Sequence, residues 1–492
     1  VKRTLLLLLV LVTGGGWLIA GAAHDLRREH VTSAGVPLDV VHPATTGRHP
    51  GVVVAHGFSG SAKLMAPFGD TLAASGYVVV LLDFTGHGAN TTPLPDQAAG
   101  TDASTRALQH DLGVALAHLR SLPDVDPAQV ALVGHSMGAG AVTRYAAAHP
   151  DVTATVAISL PDDAVASPEG PARLLTIAGA LEFSGFRWVA STVAAQRGDR
   201  AVRIVPGVEH ISILYAPEAH RETVTWLDSS FDRHRDTASI PFPARRLAGT
   251  VLLVLAFLIG FYPLVALLAD PANDPRPRLG NPAAEPRPMK ARIATTARLT
   301  AVAAVAAVIG AVIARFLPTT RLPLAIAGYV IGYAAVTGVL LYAYARTRPA
   351  STKTAISRPR LLLAVPYAVL AISVPVHVGM THAWPVGNRW WLLLILWLAF
   401  ALLAYGGERV AGGDALSLLA IAAVFVIVLA AAAVTGLTHG FVILALFPLI
   451  GLMLWQAVWS AILNRFAVSA WVIALTGSIV VAWPLAVALP LI

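Results

Sequence analysis

Two rhythms of hydrophobic and polar residues divide this chain. Between residues 24 and 246, short β-branched runs alternate with longer amphipathic stretches; beyond 247, long apolar runs follow one another with short polar breaks. The first rhythm predicts a mostly parallel sheet covered by helices on both faces. Strands are expected at 52–55, 77–83, 130–133, 155–159, 174–178 and 202–205, and helices at 61–75, 104–121, 137–149, 187–197 and 217–231. The second rhythm predicts eight helices, at 248–269, 299–317, 324–345, 361–380, 390–406, 415–435, 440–460 and 467–490. Each is long enough to span a hydrocarbon core of about 30 Å. A further apolar stretch, Leu5 to Ala23, follows Lys2 and Arg3. It reads as a secretory signal ending near Ala20-Gly21-Ala22, or as a retained anchor; its length favours the anchor. The expected domains are therefore 1–23, 24–246 and 247–492.

Composition sharpens this division. The chain is 56% apolar and 13% charged, against about 25% charged in soluble domains. Its net charge of +8 suggests a nucleic-acid partner, but the distribution argues against one. Residues 24–246 carry 17 Lys and Arg against 22 Asp and Glu, and the rest of the chain carries 18 against 5. Much of that excess lies in loops 270–298 and 346–360, on the same side as Lys2 and Arg3. This is the cytoplasmic bias of a membrane protein, and it puts residues 24–246 outside the cytoplasm. The first of these loops is proline-rich and expected to be irregular. Trp384, Trp390 and Trp391 suit an outer interfacial belt, Trp455 and Trp459 an inner one. His377 and His439 fall near outer helix ends. No Asp, Glu or Lys falls within the eight spans as drawn, which weighs against an ion-coupled transporter. There is no cysteine, so disulfides and thiolate metal sites are excluded.

The candidate chemistry begins at Gly134-His135-Ser136-Met137-Gly138, a serine between a predicted strand and a predicted helix. Such a turn lifts the hydroxyl of Ser136 off the sheet and aims a helix N-terminus at its target. Three other segments follow predicted strand ends: the turn His56-Gly57-Phe58-Ser59-Gly60, Gly179-Ala180-Leu181-Glu182, and Pro206-Gly207-Val208-Glu209-His210. Strand ends are where such a sheet carries its active residues. A serine needs an imidazole to take its proton, and a carboxylate to orient that imidazole. Asp162 or Asp163, just past the strand at 155–159, is an alternative to Glu182 as the acid. His56 and His135 flank the expected oxyanion donors and shape either the turn or the substrate pocket. Asp83 and His87 brace a loop, while His110, His118, His149 and His220 read as surface residues on helices. No histidine–carboxylate cluster has metal-ligand spacing, so neither a metal nor another cofactor is expected.

With these motifs in order, residues 36–231 resemble the α/β-hydrolase superfamily, nearest to compact dienelactone-hydrolase-like and serine-peptidase-like esterases. Leu82-Asp83-Phe84-Thr85-Gly86-His87-Gly88 also matches that superfamily's Asp-x-x-Gly-His-Gly loop. The resemblance implies Ser136 as nucleophile, His210 as general base and acid, Glu182 as its orienting carboxylate, and backbone N–H groups of Phe58 and Met137 as the oxyanion hole. The expected fold class is an α/β hydrolase plus an all-α polytopic membrane domain of no recognised family.

Only about 14 residues separate the strands ending near 159 and starting near 174, which leaves room for a loop and not for a cap domain. The outer surface of the apolar region is the expected cover, because Arg245-Arg246 joins the two parts with little slack. That favours an ester or acyl substrate, lipid or acylated envelope material, at the bilayer surface. Acyl transfer, peptide cleavage, and a transporter with an accessory hydrolase remain as alternatives. Oligomeric state is open.

Overall fold

The computed structural model describes residues 2–96, 101–234, 239–269, 289–347 and 359–492. Its N-terminal part is built on one eight-stranded sheet: β1 Arg27–Ser33, β2 Val36–His42, β3 His49–Ala55, β4 Val78–Leu82, β5 Val125–His135, β6 Ala154–Ile158, β7 Leu174–Gly179 and β8 Ala201–Val205. The spatial order is β1-β2-β4-β3-β5-β6-β7-β8. The last six strands are mutually parallel and coincide to within a residue at either end with the runs expected at 77–83 and 155–159, and contain the other four. The first two form an antiparallel hairpin, unforeseen in sequence, that turns through Ala34 and Gly35 with φ of 44° and 84°. Positive φ at both central residues is what a tight hairpin turn requires.

Helices α2 Ala66–Ala74 and α6 Pro217–Ser230 cover one face, with Phe68, Leu72, Val224 and Leu227 in its core. Helices α3 Asp102–Ser121, α4 Met137–Ala148 and α5 Ser184–Ala195 cover the other. His220 is not a surface residue. It is fully buried, stacks on Phe68, and bonds to Thr71 Oγ1 at 2.8 Å and to the Leu214 carbonyl at 2.9 Å. Burial lowers its pKa to about 4.

The remaining long helices are α1 Lys2–Ala20, before the sheet, and α7 Arg245–Leu268, α8 Met289–Ala314, α9 Ala327–Arg346, α10 Ala364–Gly379, α11 Arg389–Ala411, α12 Ala415–Val434, α13 Val442–Arg465 and α14 Ala470–Ala488 after it. Nine helices among the described residues are long and apolar enough to cross a membrane. The stretches 270–288 and 348–358, which belong to the two loops expected to be cytoplasmic, lie outside the described residues. Helices α1 and α7 meet at Gly15 and Gly249, where a Cβ on either would come within 2.9 and 2.7 Å of the other's carbonyl oxygen. Backbones this close gain dispersion contacts that any side chain would remove.

Two sequence expectations about these helices are corrected. Helix α11 continues past 406 to Ala411, so Glu408 lies inside it, and Lys290 lies in the first turn of α8. Glu408 is buried and accepts hydrogen bonds from Ser460 Oγ and, at 3.0 Å, Asn464 Nδ2, which satisfy a carboxylate removed from water. Trp459 is no interfacial anchor. It is fully buried and stacks on Phe261 at 4.1 Å. Trp390 and Trp391, by contrast, are exposed.

The sheet domain rests on the helical region through several polar contacts. Asp70 accepts from Arg28 and from Arg246 Nε at 2.7 Å. Ser61 Oγ bonds to Thr381 Oγ1 at 2.8 Å and accepts from the His382 N–H at 3.1 Å. Arg389, fully buried, donates to the carbonyls of Ala486 and Leu489 and, at 2.7 Å, to that of Gly86. The carbonyl of Leu491 accepts from Leu94 N–H, and its N–H donates to Gly86, both at 2.8 Å.

Candidate active site

Ser136 follows β5 directly and precedes α4. Its φ of 53° and ψ of −116° are strained values for a residue with a side chain. The conformation is held by the Ser136 N–H, which donates to Ile158 at 2.8 Å, and by tight glycine packing. A Cβ on Gly134 would sit 2.3 Å from the Gly138 carbonyl oxygen, and one on Gly138 would sit 2.5 Å from the carbonyl oxygens of Ala55 and His56. Only glycine lets the turn lie this close to β3.

Ser136 Oγ is 3.0 Å from His210 Nε2, and His210 Nδ1 is 3.0 Å from Glu182 Oε1. The structure thus joins a turn after β5, a loop after β7 and a loop after β8 into one hydrogen-bonded chain. The Glu182 side chain is fully buried, whereas that of His210 keeps 11% exposure. Oε2 of Glu182 accepts from Gly179 N–H at 3.1 Å, and Oε1 also accepts from Ser159 Oγ. Each carboxylate oxygen therefore has a donor, as a buried anion requires. Ser159 was missed in sequence because it reads as the last residue of a strand; its positive φ of 55° turns it toward the acid. The alternative acids are placed elsewhere: Asp162 caps its own turn by accepting from Ala164 N–H, and Asp163 starts that turn.

The expected oxyanion donors flank the serine. Met137 is the first residue of α4, where N–H groups have no intrahelical acceptor. Phe58 is the second residue of a tight turn closed by Gly60 N–H donating to Gly57 at 2.9 Å. His56 and His135 are buried and brace the backbone instead of lining an open pocket. His56 Nδ1–H donates to the Gly57 carbonyl at 2.7 Å while Nε2 accepts from Phe84 N–H at 3.1 Å. That pairing requires the neutral ring, and burial lowers its pKa to about 4. His135 Nε2–H donates to the carbonyl of His210 at 2.8 Å, tying the elbow to the histidine loop; burial holds its pKa well below the usual range.

The loop from Asp83 to Gly88 supports the same turn. Asp83 Oδ1 accepts from Ala62 N–H at 2.7 Å and Oδ2 from Ala89 N–H at 2.8 Å, and burial pushes its pKa up to about 6. His87 packs against His56 and Phe58, and its pKa is driven down by burial. Phe58 in turn stacks at 4.9 Å on Phe441, from the segment just before α13. Phe441 packs on His439. A residue of the helical region therefore stands directly beside the turn expected to donate to an oxyanion. Among the described residues no cluster of three metal-ligating side chains occurs.

The strand order, the serine elbow after β5, the acid after β7 and the histidine after β8 define an α/β-hydrolase fold, followed by an all-helical region. Residues 48–190 match the Hydrolase_4 family, described as serine aminopeptidase, S33. The chain is 28% identical over 120 residues to Cutinase 1 of Thermobifida cellulosilytica and to a cutinase of Thermobifida fusca (strain YX). Those stretches are 24% of this chain and 43% and 37% of the respective cutinases, so the chain spans under half the length of these curated relatives. Among solved structures, dienelactone hydrolase from Anabaena variabilis is 20% identical with a TM-score of 0.34, covering 42% of this chain and 98% of its own. A bacterial membrane phospholipase A is 16% identical with a TM-score of 0.34, covering 47% and 100%.

Proposed function

We propose that this chain is a membrane-tethered serine hydrolase that cleaves carboxylic esters outside the cytoplasmic membrane. The observation that carries the reading is the unbroken chain from Ser136 through His210 to Glu182, with both links at 3.0 Å. The matching family and the relatives named cutinase support a hydrolase of esters. Nine membrane-capable helices and the cytoplasmic charge bias support the tether. In this reading residues 1–23 are an anchor, 24–246 the extracytoplasmic catalytic domain and 247–492 the membrane domain.

The residues divide the work as follows. Ser136 Oγ attacks the ester carbonyl carbon while His210 Nε2 takes the hydroxyl proton. Glu182 holds the imidazole with Nδ1–H toward itself and stabilises the imidazolium. The N–H groups of Met137 and Phe58 donate to the oxyanion, each worth roughly 3–4 kcal/mol of barrier lowering. Collapse expels the alcohol, which takes the proton from His210 Nε2. Water, deprotonated by the same nitrogen, then attacks the acyl-serine and releases the acid. Aimed Nε2–Oγ geometry, the carboxylate behind the imidazole and two donors are what this sequence needs from the protein; no cofactor enters it.

The test is labelling of intact cells by a membrane-impermeant fluorophosphonate probe. The wild type is expected to label and Ser136→Ala to lose labelling, with ester turnover falling by about 10³-fold or more. A wild type that does not react, or labelling that survives Ser136→Ala, overturns the nucleophile. Labelling only after cells are permeabilised overturns the outside location. Product analysis with a competing alcohol separates hydrolysis from acyl transfer.

A further inference from the structure

The sheet edge that carries the candidate active site also carries the contacts with the helical region, but only along half its length. At the C-terminal ends of β3 and β4, Phe58, Ser61 and Gly86 meet Phe441, Thr381 and Arg389. Farther along that edge, beyond the C-terminal ends of β7 and β8, large apolar side chains stand in the open. Leu181, Phe183 and Trp188 are 60% or more exposed, and Ile211 is 43% exposed. Leu181 and Phe183 bracket Glu182, and Ile211 follows His210 directly. Phe186, in the same stretch, packs on the His210 ring at 4.8 Å.

Several exposed large apolar side chains gathered around one loop pair mark an interaction surface. What covers it follows from position. The patch follows the same C-terminal strand ends as an interface whose other half is formed by residues at the ends of membrane-capable helices, which makes the bilayer beside those helices the surface it is suited to meet. The charges nearby are engaged by the backbone: half-buried Arg187 donates to the carbonyls of Ala180 and Glu182, and Glu209, itself exposed, accepts from the N–H groups of Ile211 and Ser212. Together with the Phe58–Phe441 pair, the apolar side chains place hydrophobic surface on both sides of Ser136.

We propose that Leu181, Phe183, Trp188 and Ile211 seat on the outer bilayer surface and admit the acyl chain of a membrane lipid ester sideways to Ser136. The inference rests on the esterase reading for its substrate, but the seat can be measured without catalysis. The full chain has no cysteine, so Phe183→Cys carries a unique environment-sensitive fluorophore once the protein is reconstituted in phosphatidylcholine–phosphatidylglycerol nanodiscs. Ala128→Cys, exposed near the N-terminal end of β5 and so at the opposite end of the strands, is the control.

Quenching of the Phe183 label by bromine-substituted lipid chains, with iodide access at least fivefold below the control, is the expected result. Equal iodide access at both positions, or shielding without lipid quenching as from a second protein copy, overturns the seat. In a second arm, Phe183→Ser/Trp188→Ser is expected to lower turnover of a vesicle-borne phospholipid ester at least tenfold relative to a soluble p-nitrophenyl ester. An unchanged ratio overturns lateral entry. A wild type that hydrolyses neither ester and resists fluorophosphonate defeats the esterase reading and with it lateral entry, and the quenching result still decides the seat.

Discussion

Gly138→Ala tests how the elbow and the proposed oxyanion turn are fitted together. A methyl group at this position would lie 2.5 Å from the carbonyl oxygens of both Ala55 and His56. Cβ–oxygen contacts below about 3 Å do not persist in packed interiors, so roughly half an ångström of backbone must give way. The two carbonyls belong to the segment that leads into Phe58, and His56 is fixed to Gly57 and Phe84, so the displacement passes to the Phe58 N–H. Donors work only within roughly 2.7–3.1 Å of the oxyanion, and losing one costs about 3–4 kcal/mol, or 10²–10³ in kcat. Stability should suffer much less, because alanine is about 1 kcal/mol better than glycine within a helix and offsets part of the strain. The assay pairs kcat on a soluble ester with the melting temperature of the purified full chain. A folded variant within threefold of wild-type kcat would refute the coupling between elbow and donor.

Arg389→Met removes a buried guanidinium that serves three carbonyls across the domain junction. The Ala486 and Leu489 carbonyls lose that donor, while Gly86 keeps the Leu491 N–H. At about 1–3 kcal/mol for each unmet carbonyl, a loss of a few kcal/mol is the expected outcome, read as faster protease cutting of the loop at 83–94 in the reconstituted protein; unchanged cutting would argue against the junction. Acid should destabilise the hydrolase domain. His56 and His220 have pKa values lowered from 6.5 to about 4, so their contribution is complete above pH 6.5 and is lost as pH falls toward 4, about 3 kcal/mol each. Asp83, raised to about 6, works in the opposite direction, regaining about 3 kcal/mol as pH falls from about 6 to its unfolded value near 3.8. A net fall of about 3 kcal/mol from these three groups is expected in denaturant titrations, and His220→Asn should flatten it; a profile level from pH 7 to 4 would contradict the burial argument.

The six parallel strands and the Ser136, Glu182 and His210 loops were legible because each is a local pattern: an apolar run, then a turn. The β1–β2 hairpin was not, since β1 reads Arg-Arg-Glu-His-Val-Thr-Ser and an exposed edge strand needs no apolar run. Glu408 was placed outside its helix because Gly406-Gly407-Glu408-Arg409 interrupts the hydropathy. The helix continues there because Ser460 and Asn464, more than 50 residues away, satisfy the carboxylate. Buried His220 was hidden for the same reason, its partner Thr71 being 149 residues distant. Phe441 beside Phe58 leaves no trace in spacing or composition. Contacts between elements remote in sequence obey no period.

The hydrolase domain is gripped at both ends of its own chain. It begins just after α1 and ends just before α7, and those two helices lie side by side with Gly15 against Gly249. A globule hung from one stalk can swivel, whereas one suspended between two adjoining stalks has little rotational freedom left to lose. If the proposed membrane seat holds, orientation toward the surface beneath is written into connectivity, and each encounter with a substrate there would begin already aligned.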